Sequence, residues 1–121
     1  MKVWLDDWRM SPAGWMVART AADAIRAFAD GDVDEISLDY DLGTGDVTGL
    51  NVAKWIRQGA EAGTLPRIRW HLHSDNNEGR EKILRVMEEA DRHWLENEMT
   101  EQEPFFAPGE LDEDQNPKEG R

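Results

Sequence analysis

Short apolar segments and longer amphipathic segments alternate along the chain. The first apolar segments, residues 2–5 and 15–18, each have the length of a short β-strand. Further on, Thr20 followed by Asp23 three residues later resembles a capping box, and Gly31 supplies a stop after apolar residues at helical spacing. These features predict two strands and then a helix of about three turns.

The remaining apolar segments repeat this alternation. Residues 33–38 predict a third strand, and apolar residues at helical spacing follow until Gly63 ends a predicted second helix. Residues 68–73 predict the fourth strand. A polar loop then leads into a long final helix with an apolar stripe at Ile83, Met87, Ala90 and Trp94.

Strands that alternate with helices at this spacing predict an α/β domain with a mainly parallel sheet of about four strands. Ligands bind such sheets outside the carboxyl ends of the strands. The connection between the first two strands, residues 6–14, shows no helical periodicity and is shorter than the dozen or more residues that a parallel crossover usually needs. We therefore expect the second strand to be a short edge strand.

Composition narrows the class of protein and of site. A chain of 121 residues is the size of one domain, which we predict over residues 1–96. No apolar run approaches the length of a membrane span, and Asp6 and Asp7 interrupt any signal-peptide hydrophobic region, so we expect a cytoplasmic protein without membrane contact. The absence of cysteine excludes disulfides, thiolate metal ligands and a cysteine nucleophile.

The charge is negative and unevenly distributed. Of the net charge of −12 at pH 7, residues 96–121 contribute −7, since nine acidic residues there face only Lys118 and Arg121. Residues 97–121 predict an acidic, flexible tail, and Pro104-Phe105-Phe106 could contact a protein partner or fold back on the domain. This charge disfavours an extended nucleic-acid face, whereas a small phosphorylated ligand remains compatible with it.

Aspartates follow two of the predicted strands. Asp6 and Asp7 end the first strand, and Asp39 and Asp41 end the third. We expect these strand ends to be neighbours, and two unit charges about 4 Å apart repel by roughly 4 kcal/mol at an effective dielectric constant of 20. A bound cation resolves the repulsion, and oxygen ligands suit Mg²⁺, with Mn²⁺ or Ca²⁺ as alternatives. Each aspartate could instead cap a helix or a turn.

The fourth strand ends in further reactive groups. His71 and His73 share a face of the strand, because strand side chains alternate. His73 is nearer the carboxyl end and is the candidate general acid or base. We expect His71 to be a hydrogen-bonded core residue. Ser74 lies at the mouth of the sheet, where its hydroxyl could bind a phosphate.

Basic and amide side chains at the same edge predict a phosphate site. Asn76 and Arg80 lie between the fourth strand and the last helix, where backbone N–H groups and a guanidinium can bind an anion. Arg9 and Arg19 each follow a strand and could add positive charge. A polar loop of this kind also begins many helices, and either arginine could instead form a surface ion pair.

Several of these motifs, in this order, resemble a known family. They are Leu5-Asp6-Asp7 with Arg9, Gly14-Trp15, Ala18-Arg19-Thr20, Leu38-Asp39-Tyr40-Asp41-Leu42-Gly43, Thr48-Gly49, Trp55-Ile56 and His73-Ser74 with Asn76. The pattern resembles the receiver fold of response regulators and, more closely, the cyclic-phosphate processing receiver domains. The resemblance covers about residues 1–95.

The resemblance implies a reduced receiver-like, flavodoxin-like three-layer sandwich without the first receiver helix and without the last strand and helix. It places Asp6 and Asp7 at the acidic pair, Asp39 at the phosphoacceptor position, Asp41 at the second acid of the Asp-x-Asp element and Ser74 at the switch hydroxyl. It also implies the processing of cyclic phosphates on nucleotides or RNA ends.

Two features depart from the family pattern. Tyr40 stands where the family usually has histidine, which puts a ligand or a proton relay in doubt. No strand carrying the lysine of ordinary receivers is predicted after residue 95. Arg80 could substitute for the charge of that lysine.

Three hypotheses follow. The first is a metal-dependent phosphodiesterase or phosphohydrolase acting on a cyclic phosphate of a nucleotide or RNA terminus, with Asp39 and His73 as catalytic residues. The second is a non-catalytic module that is phosphorylated at Asp39 or binds a cyclic phosphate. The third is an acidic interaction protein whose tail binds a partner.

Overall fold

The computed structural model describes residues 1–43 and 47–102, with side chains to residue 98. The described elements, in chain order, are β1 (Lys2–Leu5), β2 (Trp15–Ala18), α1 (Ala21–Asp30), β3 (Glu35–Leu38), α2 (Gly49–Ala62), β4 (Arg69–Leu72) and α3 (Asn77–Gln102).

The strands form one parallel sheet in the order β2-β1-β3-β4. Leu5 lies beside Ala18 on one side and Leu38 on the other, so the carboxyl ends of β1, β2 and β3 are level. The α/β class, the four-stranded parallel sheet and the edge position of β2 are as the sequence predicts. The central position of β1 and β3 places the residues that follow them next to each other.

The helices pack on one face of this sheet. The crossovers β2-α1-β3 and β3-α2-β4 move in the same direction across the sheet, and right-handed crossovers of one direction place their helices on the same face. Helix α3 packs against α2. The core between the sheet and the helices is fully buried and includes Val3, Leu5, Ile36, Leu38, Ala24, Val52, Ile56, Ile83 and Met87.

The opposite face of the sheet differs from the predicted three-layer arrangement. A right-handed connection from β1 to β2 runs in the other direction across the sheet and so passes over this face. That connection, Asp6–Gly14, contains no helix. Within residues 1–43 and 47–102 the helical layer is therefore single.

The boundaries of α1 and α2 have clear physical causes. The Thr20 hydroxyl accepts from the Asp23 backbone N–H at 3.0 Å, which caps the start of α1. Thr48 and Asn51 form a capping box at the start of α2. Gly63 ends that helix with a left-handed backbone, φ 76°, which glycine adopts without steric cost.

The last helix is longer than predicted. Helix α3 begins at Asn77 and continues to Gln102, so the predicted boundary at residue 97 falls inside it. The Asn97 side-chain amide donates to the Ala60 carbonyl at 2.9 Å, which holds this part of α3 against α2. The Pro104-Phe105-Phe106 segment and the rest of the predicted tail lie outside the described residues. No helix in the described part of the chain combines the length and apolarity needed to cross a membrane.

Candidate functional site

Three side chains from three neighbouring strand ends converge at the carboxyl edge of the sheet. Asp6 follows β1, Asp39 follows β3 and His73 follows β4. One ligand atom from each lies within 4.8 Å of the other two. We call Asp6, Asp39 and His73 the carboxylate–histidine cluster. The strand order creates it, because β1, β3 and β4 are consecutive in the sheet.

Asp6 is fully buried and held in one orientation. Its Oδ1 accepts hydrogen bonds from the backbone N–H groups of Trp8 and Arg9, each at 2.9 Å. Its Oδ2 lies 3.0 Å from His73 Nε2. Burial alone would raise the pKa of Asp6, but these backbone and histidine interactions outweigh burial and lower the pKa. Asp6 is therefore a stable carboxylate at neutral pH.

Asp39 has the opposite electrostatic balance. Burial raises its pKa, a hydrogen bond from the Ser74 side chain opposes the rise, and the nearby negative charge of Asp6 adds to it. The Ser74 hydroxyl, in turn, accepts from the Asn76 backbone N–H at 3.1 Å. Two buried carboxylates that lie side by side repel each other when both are ionised. A cation bound between them would remove this repulsion.

Three neighbouring side chains fix the orientation of the His73 ring. Its Nδ1 lies 2.7 Å from the Ser37 hydroxyl, its Nε2 faces Asp6, and the Trp4 ring stacks on it at a centroid distance of 3.9 Å and an angle of 7°. Burial lowers the pKa of His73 and outweighs the opposing effects of Asp6 and Asp39. The imidazole is therefore neutral at pH 7, with Nε2–H donating to Asp6 and Nδ1 accepting from Ser37.

The backbone beneath Asp39 depends on Gly49, the first residue of α2. The Gly49 N–H donates to the Tyr40 carbonyl at 2.9 Å. A Cβ at Gly49 would overlap the Asp39 carbonyl oxygen. Only glycine lets α2 approach the end of β3 this closely. This contact fixes the position of the Asp39 backbone relative to α2.

The two predicted arginines bind backbone carbonyls around the cluster. Arg9 Nη1 donates to the His73 carbonyl at 3.1 Å, and Arg9 also pairs with the Asp75 carboxylate. Arg19 Nη1 donates to the carbonyls of Asp6 at 3.1 Å and Arg9 at 2.7 Å. Both guanidinium groups connect the loop after β1 to its neighbours and bring positive charge to this edge.

The two other predicted aspartates lie outside the carboxylate–histidine cluster. The Asp7 carboxylate lies against Gly43, whose φ of 72° places it in the left-handed region. Asp41 is exposed, and its Oδ2 is 3.5 Å from the Asn76 side-chain amide. Their predicted role as metal ligands stays a prediction.

Of the remaining predicted phosphate ligands, one contacts the carboxylate–histidine cluster and two do not. Ser74 is buried against Asp39, whereas Asn76 caps α3, since its Oδ1 accepts from the Gly79 N–H at 2.9 Å. Arg80 is exposed on the first turn of α3 and lines a cleft with Leu72 and Leu84. That cleft contains no residue of the carboxylate–histidine cluster.

Sequence reasoning missed the neighbours of His73. Trp4 and Ser37 lie on the sheet face opposite the helices, and alternation along β1 and β3 is the signal that could have identified them. His71 lies on that face too, and the expectation that it is a core residue is wrong. Its side chain is 53% exposed and lies 2.6 Å from the Glu35 carboxylate.

A comparison with protein families provides independent information. The family described as "Cyclic-phosphate processing Receiver domain" matches residues 1–89, which include the whole carboxylate–histidine cluster. No curated protein and no solved structure matches the chain. The match confirms the resemblance seen in the motifs. The chain belongs to the cyclic-phosphate processing receiver domain family.

Proposed function

We propose that the protein is a metal-dependent phosphodiesterase or phosphohydrolase that acts on a cyclic phosphate of a nucleotide or of an RNA end. The observation that carries this proposal is the convergence of Asp6, Asp39 and His73 within 4.8 Å at the carboxyl edge of the sheet. Open parallel sheets bind their ligands at this edge. The family description supports a cyclic phosphate as the substrate class.

The donor set fits a divalent cation. Asp6 and Asp39 are buried beside each other, and the raised pKa of Asp39 reflects burial together with the Asp6 charge. A divalent ion held by these carboxylates would remove that repulsion. Carboxylate oxygens suit Mg²⁺, Mn²⁺ and Ca²⁺. When bound, such an ion polarises a phosphoryl oxygen and lowers the pKa of a coordinated water.

The protein's own groups orient the substrate and move a proton. Asp6 is fixed by two backbone N–H groups and can hold its position while a ligand binds. His73 is neutral, and Ser37 occupies its Nδ1, so Nε2 is the atom that faces the carboxylates and exchanges a proton with a bound group. Arg9, which is paired with Asp75, and Arg19 are the cations nearest the cluster and are the candidates to offset the charge of a bound phosphate.

Hydrolysis assays test this proposal. Purified protein with Mn²⁺ or Mg²⁺ is incubated with adenosine 2′,3′-cyclic phosphate and with bis-p-nitrophenyl phosphate, and product formation is followed. We expect turnover that EDTA abolishes. The Asp39→Asn variant should be inactive, because it removes one of the two carboxylates. The matched control is Glu35→Gln, which also removes a carboxylate beside a histidine but lies outside the cluster. Absence of turnover with every metal and substrate contradicts the proposal.

A second candidate function is a receiver-like signalling module phosphorylated at Asp39. The contact between the Ser74 side chain and Asp39 favours it, because this pairs an acceptor carboxylate with a hydroxyl from the next strand end. Incubation with acetyl phosphate distinguishes the two functions. Addition of one phosphoryl group to the wild type but not to Asp39→Asn, together with no hydrolysis of cyclic phosphates, would establish the module.

A further inference from the structure

Trp8 is the most exposed tryptophan in the chain. The sequence has six tryptophans, and the other five are buried or half-buried. Trp8 is 71% exposed, on the loop that follows β1. Scattered exposed apolar residues are common and need no explanation. The significance of Trp8 therefore depends on what lies around its ring.

The backbone of Trp8 forms a hydrogen bond with the carboxylate–histidine cluster. Its backbone N–H donates to Asp6 Oδ1 at 2.9 Å. This hydrogen bond uses the main chain alone, so the loop keeps its course whichever side chain stands at position 8. The main chain that carries the exposed ring is therefore held beside the proposed phosphate site.

The Trp8 ring is supported by an anchored cation. The Arg9 guanidinium lies 5.5 Å from the ring centroid, within the range of a cation–π interaction. The same guanidinium donates to the His73 carbonyl and pairs with Asp75, which fixes it to the loop after β4. The guanidinium contacts the ring on one side, and most of the ring surface stays open to a ligand.

An exposed indole near the proposed phosphate site is suited to a nucleotide. The planar face of a nucleobase stacks on aromatic side chains with little dependence on which base it is, and Arg contributes to such sites. The net charge of −12 disfavours contact with a long phosphate backbone, so one terminal nucleotide fits the surface better than an extended strand.

We propose that Trp8 is the stacking platform for the nucleobase of the substrate, positioned by the Asp6 contact and by Arg9. The inference rests on the proposed function, which places the phosphate at Asp6, Asp39 and His73. Trp8 is then a specificity residue: it distinguishes phosphates that carry a base from those that do not, and it takes no part in bond cleavage.

The test is binding of a nucleotide against a phosphate without a base. Isothermal titration calorimetry measures adenosine 3′-monophosphate and ribose 5-phosphate on wild type, Trp8→Ala, Trp8→Phe and Leu95→Ala. Leu95, 52% exposed on α3, is the control for loss of an exposed apolar side chain. We expect the wild type and Leu95→Ala to bind the nucleotide more tightly than ribose 5-phosphate. Trp8→Ala should weaken nucleotide binding about tenfold, equivalent to about 1.4 kcal/mol, and Trp8→Phe should retain most of it.

The outcomes separate this inference from the proposed function. Equal affinity of the wild type for both ligands, or unchanged nucleotide affinity in Trp8→Ala, overturns the stacking role even if hydrolysis is observed. If no cyclic phosphate is hydrolysed but Trp8→Ala still loses nucleotide affinity, the stacking role stands and the phosphodiesterase proposal fails.

Discussion

Two histidine–carboxylate pairs lie on the same face of the sheet, one within β4 and one just after it, and they differ in exposure and in surroundings. His71 lies 2.6 Å from Glu35, and His73 lies 3.0 Å from Asp6. The His71 side chain is 53% exposed and the His73 side chain 15%. We call them the outer pair and the inner pair.

The difference comes from the groups that share the space around each pair. The hydrogen bond from His71 lowers the pKa of Glu35, burial opposes it, and the cations Arg69 and Lys2 reinforce the lowering. The carboxylate of the outer pair therefore lies among cations on the open face of the sheet. The inner pair has Trp4 stacked on its histidine and a second carboxylate, Asp39, beside it. The outer pair also combines a histidine with a carboxylate, so that combination alone does not indicate catalysis. The burial of Asp6 and the second negative charge, on Asp39, make the inner pair a candidate for catalysis.

Replacing each histidine tests this difference most strongly. His73→Gln should reduce hydrolysis of the cyclic phosphate by about 10²–10⁴-fold, the range that general acid–base catalysis contributes. His71→Gln should leave turnover unchanged, because the outer pair lies outside the cluster. The measurement is kcat with adenosine 2′,3′-cyclic phosphate. Equal losses in both variants would show that the two pairs do not differ in function.

The inner pair also depends on close packing beneath Asp39. Gly49→Ala places a methyl group on the Asp39 carbonyl and should cost about 1–3 kcal/mol of the free energy of unfolding, typical of overpacking. Gly31→Ala is the control, because the closest atom to its methyl group is the flexible end of the Met1 side chain and the Ala27 carbonyl lies at an ordinary contact distance. Urea unfolding measures both variants. A Gly49→Ala protein as stable as Gly31→Ala contradicts the packing argument.

The smallest expected effect is on proton binding by His73. Because burial lowers the pKa of His73, its NMR titration midpoint should lie below the ordinary value of 6.5. Asp39→Asn should lower the midpoint further, since the Asp39 charge favours the imidazolium.

The lowered pKa of His73 also determines how the stability of the fold changes with pH. The His73 imidazole binds a proton more readily in the unfolded chain than in the folded one. Its contribution to the free energy of unfolding is therefore complete above pH 6.5 and declines as the pH falls below 6.5. His73→Gln should lose this part of the pH dependence. A titration midpoint above 6.5 contradicts the assignment of a half-buried, neutral imidazole.

The elements were predictable because their signals are local. Apolar runs, Thr20, Thr48 and the stops at Gly31 and Gly63 lie within or beside the elements that they define. The end of α3 was not predictable in this way. Residues 97–102 are polar except for Met99, and at Asn97 the helix is held by a hydrogen bond to Ala60, 37 positions earlier in the chain.

The candidate site was predictable only in part. Asp6, Asp39 and His73 were identified because the two aspartates follow predicted strands and His73 ends one, and parallel strands bring such residues to one edge. The separation of Asp7 and Asp41 from them was not predictable. Adjacent residues on a turn point in directions set by the turn, and in the structure Asp7 lies against Gly43.

The amino-acid sequence by itself determined the order of strands and helices, their caps and the carboxylates at the strand ends, because these depend on neighbours within a few residues. The tertiary structure alone decided which groups share the site, which of the two histidines stacks on Trp4, and how far the Trp8 ring is exposed. Those properties arise from strand order and side-chain packing between residues up to 67 positions apart, as between Asp6 and His73.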